Sequence, residues 1–425
     1  MTVWAVNGAA GFGKTYRLLQ RTGEELKASP LAAGQQVLAL TFMHGSRQRL
    51  EQRLRGMPDL RGRYQCLTVD GFARSLRWRW RSLAQSIGQP STDAVSFDEQ
   101  CSLAAELVRR PVVSNWLSIG YPCVLLDEGQ DLDPHRLRLI EALALCSHVL
   151  IAYDDFQCLK VELRPSPVSV WVPSVCKPEE LSKPRRCSVP ALLDASFALR
   201  SGLTPVTGQG FKIAPCASAA QAAALLASTI HFARFKNPKC SIAVITPARK
   251  GGYADEIVEM VATKPCGSKK FGPFKLRWEV AESPLIEAVE KMAFDGVKPC
   301  SEVVLQVLAA TDDGTARNTL IRWVVRQRDV AGRAGISFSE LIGQARRVIA
   351  VTRARANRTD SGMRALTVHQ AKNREFDIVI AIWPYTVAQD DEGKRRLLYN
   401  AITRARLQCT VIVQGAASTN NPPFK

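Results

Sequence analysis

The sequence has no run of the ~18 consecutive apolar residues that a membrane-spanning helix needs, so neither a helical membrane protein nor a membrane partner is expected. Its opening, Met1-Thr2-Val3-Trp4-Ala5-Val6, has no basic stretch before the apolar residues and no small-residue cleavage site, so a secretory leader is not expected. The twelve cysteines stand eleven residues apart or more, with no Cys-x-x-Cys pair, and none of the five histidines joins a cysteine at zinc-ligand spacing. That argues against structural zinc and iron–sulfur clusters, and leaves buried thiols in a reducing, cytoplasmic setting as the expectation. Acidic residues are scarce too: 39 Asp and Glu against 57 Lys and Arg give a net charge of +18. A surplus of that size favours a polyanionic partner. What the chain does have is length and apolar content. With 425 residues, 46% of them hydrophobic, it is no disordered or fibrous chain and suggests more than one core.

Val3–Val6 reads as a strand, Gly8-Ala9-Ala10-Gly11-Phe12-Gly13-Lys14-Thr15 as a glycine-rich turn, and Tyr16 onward as a helix start. Further short apolar runs stand at Val37–Leu40, Cys123–Leu126, Val149–Ala152, Ile242–Ile245, Ile378–Trp383 and Thr410–Val413, with helical stretches between them. Buried strands alternating with helices predict an α/β fold with parallel sheets covered on both faces. The runs divide before about residue 155 and after 240, which suggests two α/β cores.

Gly8-x-x-x-x-Gly13-Lys14-Thr15 fits the phosphate-binding loop in pattern and in context. Glycines let backbone N–H groups turn toward phosphates, Lys14 reaches the β- and γ-phosphates, and the Thr15 hydroxyl suits Mg²⁺. Val124-Leu125-Leu126-Asp127-Glu128 is an apolar strand ending in two carboxylates. Asp127 beside the loop would hold Mg²⁺ through water, and Glu128 would orient or deprotonate the attacking water.

Asp127-Glu128-Gly129-Gln130-Asp131 resembles the Asp-Glu-x-Gln-Asp box of the UvrD/Rep-like superfamily 1 helicases, and further segments resemble that family's boxes in chain order. Leu40-Thr41-Phe42-Met43-His44 and Thr68-Val69-Asp70-Gly71-Phe72 resemble DNA-contacting segments, the second with Asp70 where the family usually has His. Asp154-Asp155-Phe156-Gln157 resembles the sensor loop, in which Gln157 would feel the γ-phosphate. Lys183-Pro184-Arg185-Arg186 resembles the Asn-Tyr-Arg segment, which would put Arg186 on the γ-phosphate. Thr367-Val368-His369-Gln370-Ala371-Lys372-Asn373-Arg374-Glu375-Phe376-Asp377 and Arg395-Arg396-Leu397-Leu398-Tyr399-Asn400-Ala401-Ile402-Thr403-Arg404-Ala405-Arg406 resemble the last two boxes, with Arg404 at the arginine finger.

The resemblance implies two RecA-like parallel-sheet cores with short, mainly helical accessory inserts, and ATP bound between the cores. It assigns residues 1–73 and 111–180 to the first core, 74–110 to a reduced insert, 181–262 and 363–425 to the second core, and 263–362 to a second reduced insert. Lys14, Asp127, Glu128, Gln157, Arg186 and Arg404 would be catalytic; Gly8 to Tyr16, Arg185 and Glu375 would line the nucleotide; Thr15 and Asp127 would hold Mg²⁺. The implied activity is an ATP-dependent translocase or helicase on single-stranded DNA or an overhang, moving 3′ to 5′. The inserts are short and about twenty residues follow Arg404, so a partner nuclease in repair or phage defence is an expectation. The alternative is a nucleotide-gated DNA-binding switch subunit that controls a partner enzyme without productive unwinding.

Several positions depart from the family pattern. Arg185 replaces the tyrosine that stacks on the base, the family's adenine-reading glutamine has no counterpart ahead of Val3, and weak base selectivity is expected. Asn373 replaces a glycine and should adopt a left-handed backbone. Thr41, Phe42, His44, Thr68, Phe72 and His369 are the DNA contacts that the boxes imply. Arg74-Ser75-Leu76-Arg77-Trp78-Arg79-Trp80-Arg81 interleaves arginines with Trp78 and Trp80, the composition of a single-strand track. Residues at i and i+2 share a helix face poorly, so packing is the competing reading there.

Overall fold

The computed structural model describes residues 2–42, 44–90, 95–249, 251–279, 284–292, 294, 296–311, 314–359 and 363–425. It is an α/β structure built on two six-stranded parallel sheets with helices on their faces. The first sheet uses β1 (Thr2–Gly8), β2 (Val37–Thr41), β3 (Tyr64–Thr68), β4 (Cys123–Asp127), β5 (His148–Tyr153) and β6 (Glu179–Leu181), in the order β3-β2-β4-β5-β1-β6. The interior strands β2 and β4 are buried at every residue, as a sheet covered on both faces requires. Register aligns the strand ends: Thr41 pairs with both Thr68 and Asp127, and Gly8 with Leu181. The segments following all six strands therefore meet along one carboxyl edge, where ligands of open α/β sheets bind.

The chain continues through β7 (Phe211–Cys216), β8 (Ile242–Thr246) and β9 (Leu276–Trp278), a short antiparallel pair β10 (Val297–Pro299) and β11 (Gly335–Ser337), then β12 (Met363–Thr367), β13 (Phe376–Trp383) and β14 (Ala405–Gln414). The second sheet runs β7-β14-β13-β8-β12-β9. Both sheets lie within one compact unit, Met1–Phe274 with Leu366–Lys425, apart from the strand residues that fall in a second unit, Lys275–Ala365. That second unit packs helices Pro284–Lys291, Cys300–Ala310, Thr315–Asp329 and Phe338–Thr359 around Val289, Val303, Leu320, Val324 and Leu341, all fully buried. Arg333 and Glu340 make a two-pronged ion pair at 2.8 and 2.9 Å within it.

Local signals account for several elements. Ser96 caps helix Phe97–Val108 by accepting the Glu99 N–H at 3.3 Å, and Cys101, Ala104 and Leu107 form its buried stripe. Asn373 does adopt a left-handed backbone, φ 63°, and its amide bonds the Ser46 hydroxyl. Among the described residues no helix is long and apolar enough to cross a membrane.

Candidate functional site

The glycine-rich loop leaves β1 at Gly8 and enters helix Lys14–Ala28. Gly13, at φ 87°, closes the turn, and a Cβ there would come within 2.6 Å of the Arg185 side chain. Only glycine satisfies both demands. Lys14 Nζ is buried and donates to Gly8 O (2.9 Å), Ala9 O (3.3 Å) and Gln157 Oε1 (3.2 Å), with Asp154 Oδ2 at 3.6 Å. Burial pulls its ammonium below the usual lysine value, while Asp154 and Glu128 oppose that shift.

The Thr15 hydroxyl, in the first turn of that helix, donates to Asp127 Oδ2 at 3.0 Å. Asp127 ends β4 almost fully buried, and burial together with the neighbouring Glu128 charge pushes its carboxyl up to about 7. Glu128 takes a left-handed backbone, φ 62° and ψ 43°, which is uncommon for a residue with a side chain and typical of functional loops. The fully buried Gln130 holds it there: its amide N–H donates to Glu128 Oε2, and its carbonyl accepts the Asp154 N–H at 3.0 Å. Hydroxyl, carboxylate and loop amides form an oxygen-rich set that fits phosphates and a hard cation retaining water. Among the described residues no group of three or more His, Cys, Asp or Glu makes a metal cage.

The second sheet contributes at the amino edge of its strands. Glu375 precedes β13 and Arg404 precedes β14, and the Phe376 N–H donates to Arg404 O at 2.9 Å. Arg404 is 1% exposed and donates to Asn400 O (2.9 Å) and Thr403 Oγ1 (3.3 Å), but it has no carboxylate partner among the described residues. Burial, and then the nearby Arg186 charge, lower its basicity. Arg186 lies on the segment that leaves the first sheet after β6. Its backbone N–H, like that of Arg185, donates to Gly11 O at 2.9 Å. Its guanidinium pairs with Glu375 at 2.9 Å and donates to Thr403 O at 3.1 Å. Burial would raise the Glu375 carboxyl, but Arg186 and Arg406 hold it below the usual value. Arg185 is stacked on Tyr16 at 3.8 Å beside Gly13. A small pocket lined by Ala10, Gly11, Arg186 and Thr403 opens against the loop.

Thus Gly8 to Tyr16, Asp127, Glu128, Gln157, Arg185, Arg186, Glu375 and Arg404 come together. Sequence reasoning missed the groups that tie them. Asp154, fully buried, accepts from Arg200 Nη1 at 2.7 Å and from the Tyr399 hydroxyl at 3.2 Å. That hydroxyl in turn accepts the Ala10 N–H of the loop at 2.7 Å. Asp131 pairs with Lys372, both nearly buried, and Arg396 pairs with Asp155 at 2.8 Å. Tyr399, Arg396 and Lys372 sit inside boxes already read, so polar residues in apolar surroundings were an available signal. Arg200 lies in no box and had none.

The expected DNA contacts are more scattered. Thr41 is fully buried, and Thr68 caps helix Val69–Arg79 by accepting the Gly71 N–H at 3.1 Å. Phe42 is half-buried, with Arg136 and Lys160 over its ring at 5.5 and 5.4 Å. Arg136 is held there by three carboxylates, Asp70 at 2.8 Å in the position where the family has His, Asp98 at 2.6 Å and Asp133. Phe72 is 2% exposed inside the first core, so its ring packs instead of facing a base. The two tryptophans divide: Trp78 is 61% exposed beside Arg81, whereas Trp80 packs on Trp116 with centroids 6.1 Å apart. His369 is exposed on the short helix after β12. His44 opens helix His44–Arg55, and its side chain lies outside the described residues.

Residues 362–412 match the family described as the UvrD-like helicase C-terminal domain, a stretch that holds Lys372, Glu375, Tyr399 and Arg404. No curated protein matches the chain. The match supports a UvrD-like helicase and, with it, ATP-dependent chemistry in general.

Proposed function

We propose that the chain is an ATP-hydrolysing motor on single-stranded DNA that moves 3′ to 5′, with a partner nuclease in repair or phage defence. The observation that carries this reading is Arg404, a buried guanidinium with no carboxylate partner among the described residues, next to Arg186. A guanidinium held out of water in this way calls for an anion, and a nucleoside triphosphate supplies one with several charges.

In this reading the loop amides and Lys14 take the phosphates, and Lys14 gives up Asp154 and Gln157 to do so. Glu128, held by Gln130, orients the attacking water and accepts its proton. Arg186 and Arg404 stabilise the charge on the transferring phosphoryl group. A Mg²⁺ ion at Thr15 and Asp127 would neutralise phosphate charge. Tyr399, bound both to the loop and to Asp154, links phosphate occupancy to the second sheet, so that hydrolysis becomes movement.

ATPase activity measured with and without oligo-dT tests the reading directly. Stimulation is expected, together with opening of short overhang duplexes and failure on long ones, since each base-pair step resists by ~1.4 kcal/mol. No stimulation by any DNA would overturn the motor. It would favour the switch subunit instead, a reading supported by Phe72 being buried and Phe42 covered, which leaves few rings to grip bases.

Arg185 and Tyr16 flank the position of the base without a side chain that reads its edge. Arg185→Ala should raise KM for ATP about 3- to 30-fold, the worth of one cation–π contact, with kcat unchanged and GTP affected equally. Steady-state kinetics with both nucleotides check this.

A further inference from the structure

From Ala195 to Ala254 the sequence contains no aspartate or glutamate, and none follows between Met260 and Trp278. These stretches include helix Ala219–Lys236, the loop into β8, and the turn that ends at Phe271. The helix is apolar around most of its circumference, through Ala222, Ala223, Leu226, Ala227 and Ile230 inward and Phe232 and Phe235 outward. Phe232 is 51% exposed and Phe235 82%. A helix apolar on both sides is normally covered on both. His231, Phe232 and Phe271 pack together as an aromatic floor, with centroids 4.6 to 5.6 Å apart. The floor is braced by the paired hydrogen bonds between Cys266 and Phe271, 2.8 and 2.9 Å. Around it stand Lys236, Lys239, Lys264, Lys269 and Lys270, all exposed.

Topology fixes where this patch lies. The helix starts after the carboxyl end of β7 and runs back, so Phe232 to Lys239 reach the amino edge of the second sheet, where β8 begins. The turn before Phe271 returns to the same edge. That edge also carries Glu375, Arg404 and Arg406. The carboxylates there are already engaged, Asp377 by the Ser241 N–H and hydroxyl (2.9 and 2.8 Å) and Glu375 by Arg186 and Arg406. Among the described residues none of these lysines is in an ion pair, and the exposed Glu259 on helix Tyr253–Thr263 is the acid nearest in sequence to Lys264.

We propose that this patch docks an acidic polypeptide segment carrying apolar anchor side chains. The anchors cover Phe232 and Phe235 and the acidic groups meet the lysine rim, as exposed apolar patches with a charged border do in protein interfaces. A single DNA strand fits less well. Phe271, Phe232 and His231 pack on one another, so only Phe235 and part of the Phe232 ring stay open, few faces for a run of stacked bases. His369 and the ends of β8 and β12 are at the opposite edge. A partner seated here lies on the same edge of the second sheet as Arg404, and the docking itself does not rest on the motor reading.

The test uses the full chain and a fluorescein-labelled peptide in which glutamate pairs alternate with leucine and phenylalanine, followed by anisotropy at low salt. The controls are the same peptide with glutamine for glutamate and a labelled 20-nucleotide oligo-dT. The variants are Phe232→Ala with Phe235→Ala, and Lys269→Glu with Lys270→Glu, surface changes that should leave the thermal melt unchanged. Each pair should weaken peptide binding by about tenfold or more, as loss of an interface anchor does. The glutamine peptide should bind comparably weakly, and oligo-dT affinity should be unaffected. Equal peptide affinity in the variants would overturn the proposal. So would a parallel loss of oligo-dT binding, which would make this a strand site. A concentration-dependent dimer in sedimentation that the Phe variants abolish would give the patch to a second copy of the chain.

Discussion

Arg404→Ala is expected to lower ATP turnover by about 10³-fold or more, the usual effect of removing an arginine finger, while the protein stays folded. The guanidinium is 1% exposed and, among the described residues, bonded only to neutral oxygens, Asn400 O and Thr403 Oγ1. Removing a buried charge that pairs with no carboxylate among the described residues relieves its desolvation cost, so the methylene cavity is the main loss. The melting temperature should therefore fall little compared with the rate. Arg404→Lys should recover only part of the activity, because an ammonium cannot present the planar fork that matches phosphate oxygens. Steady-state kinetics with a nonhydrolysable-analogue binding assay separate the two effects: kcat collapses and nucleotide affinity changes much less. Wild-type turnover in Arg404→Ala would remove the two-sheet site from consideration.

Asp131→Ala is the substitution expected to cost most in stability. Asp131 and Lys372 form an ion pair with side chains 10% and 7% exposed, joining the loop after β4 to the box after β12. Burial pushes the Asp131 carboxyl up, and the Lys372 charge opposes that shift. Removing the carboxylate leaves a nearly buried ammonium without its partner, at a cost of ~3–5 kcal/mol. Lys372→Met in the Asp131→Ala background should recover much of the loss, because no buried charge then remains. Urea denaturation of the four proteins in this cycle gives the coupling energy. Losses that simply add would mean that the pair is not an energetic unit.

What could be read in the sequence follows from burial. The strands found from apolar runs, β1, β2, β4, β5, β8, β13 and β14, include every interior strand of the two sheets except β12. Covered on both faces, they must be apolar almost throughout. The edge strands β3, β6, β7 and β9 carry Gln65, Glu179, Lys212 and Arg277, because an edge or a half-open face tolerates polar and charged side chains, and no run betrays them. β12 hides behind Arg364. The glycine-rich loop was legible for a related reason: backbone that must turn inward and clear a neighbouring chain admits only certain residues at fixed spacing. The two carboxylates at the end of β4 were legible too, since an apolar run that stops in Asp127-Glu128 marks a strand end.

The tertiary structure alone decided which polar groups meet. Arg200 and Asp154 are 46 positions apart, and the Ala10 N–H and Tyr399 hydroxyl 389. No local pattern encodes a hydrogen bond that closes only when two sheets face each other. The same holds for the rings. Phe42, Phe72, Trp78 and Trp80 look alike in the sequence, yet one is covered by cations, one is buried in the first core, one faces solvent and one packs on Trp116. A side chain's neighbours are set by the packing of helices drawn from distant parts of the chain, and that is settled only once the whole core has formed.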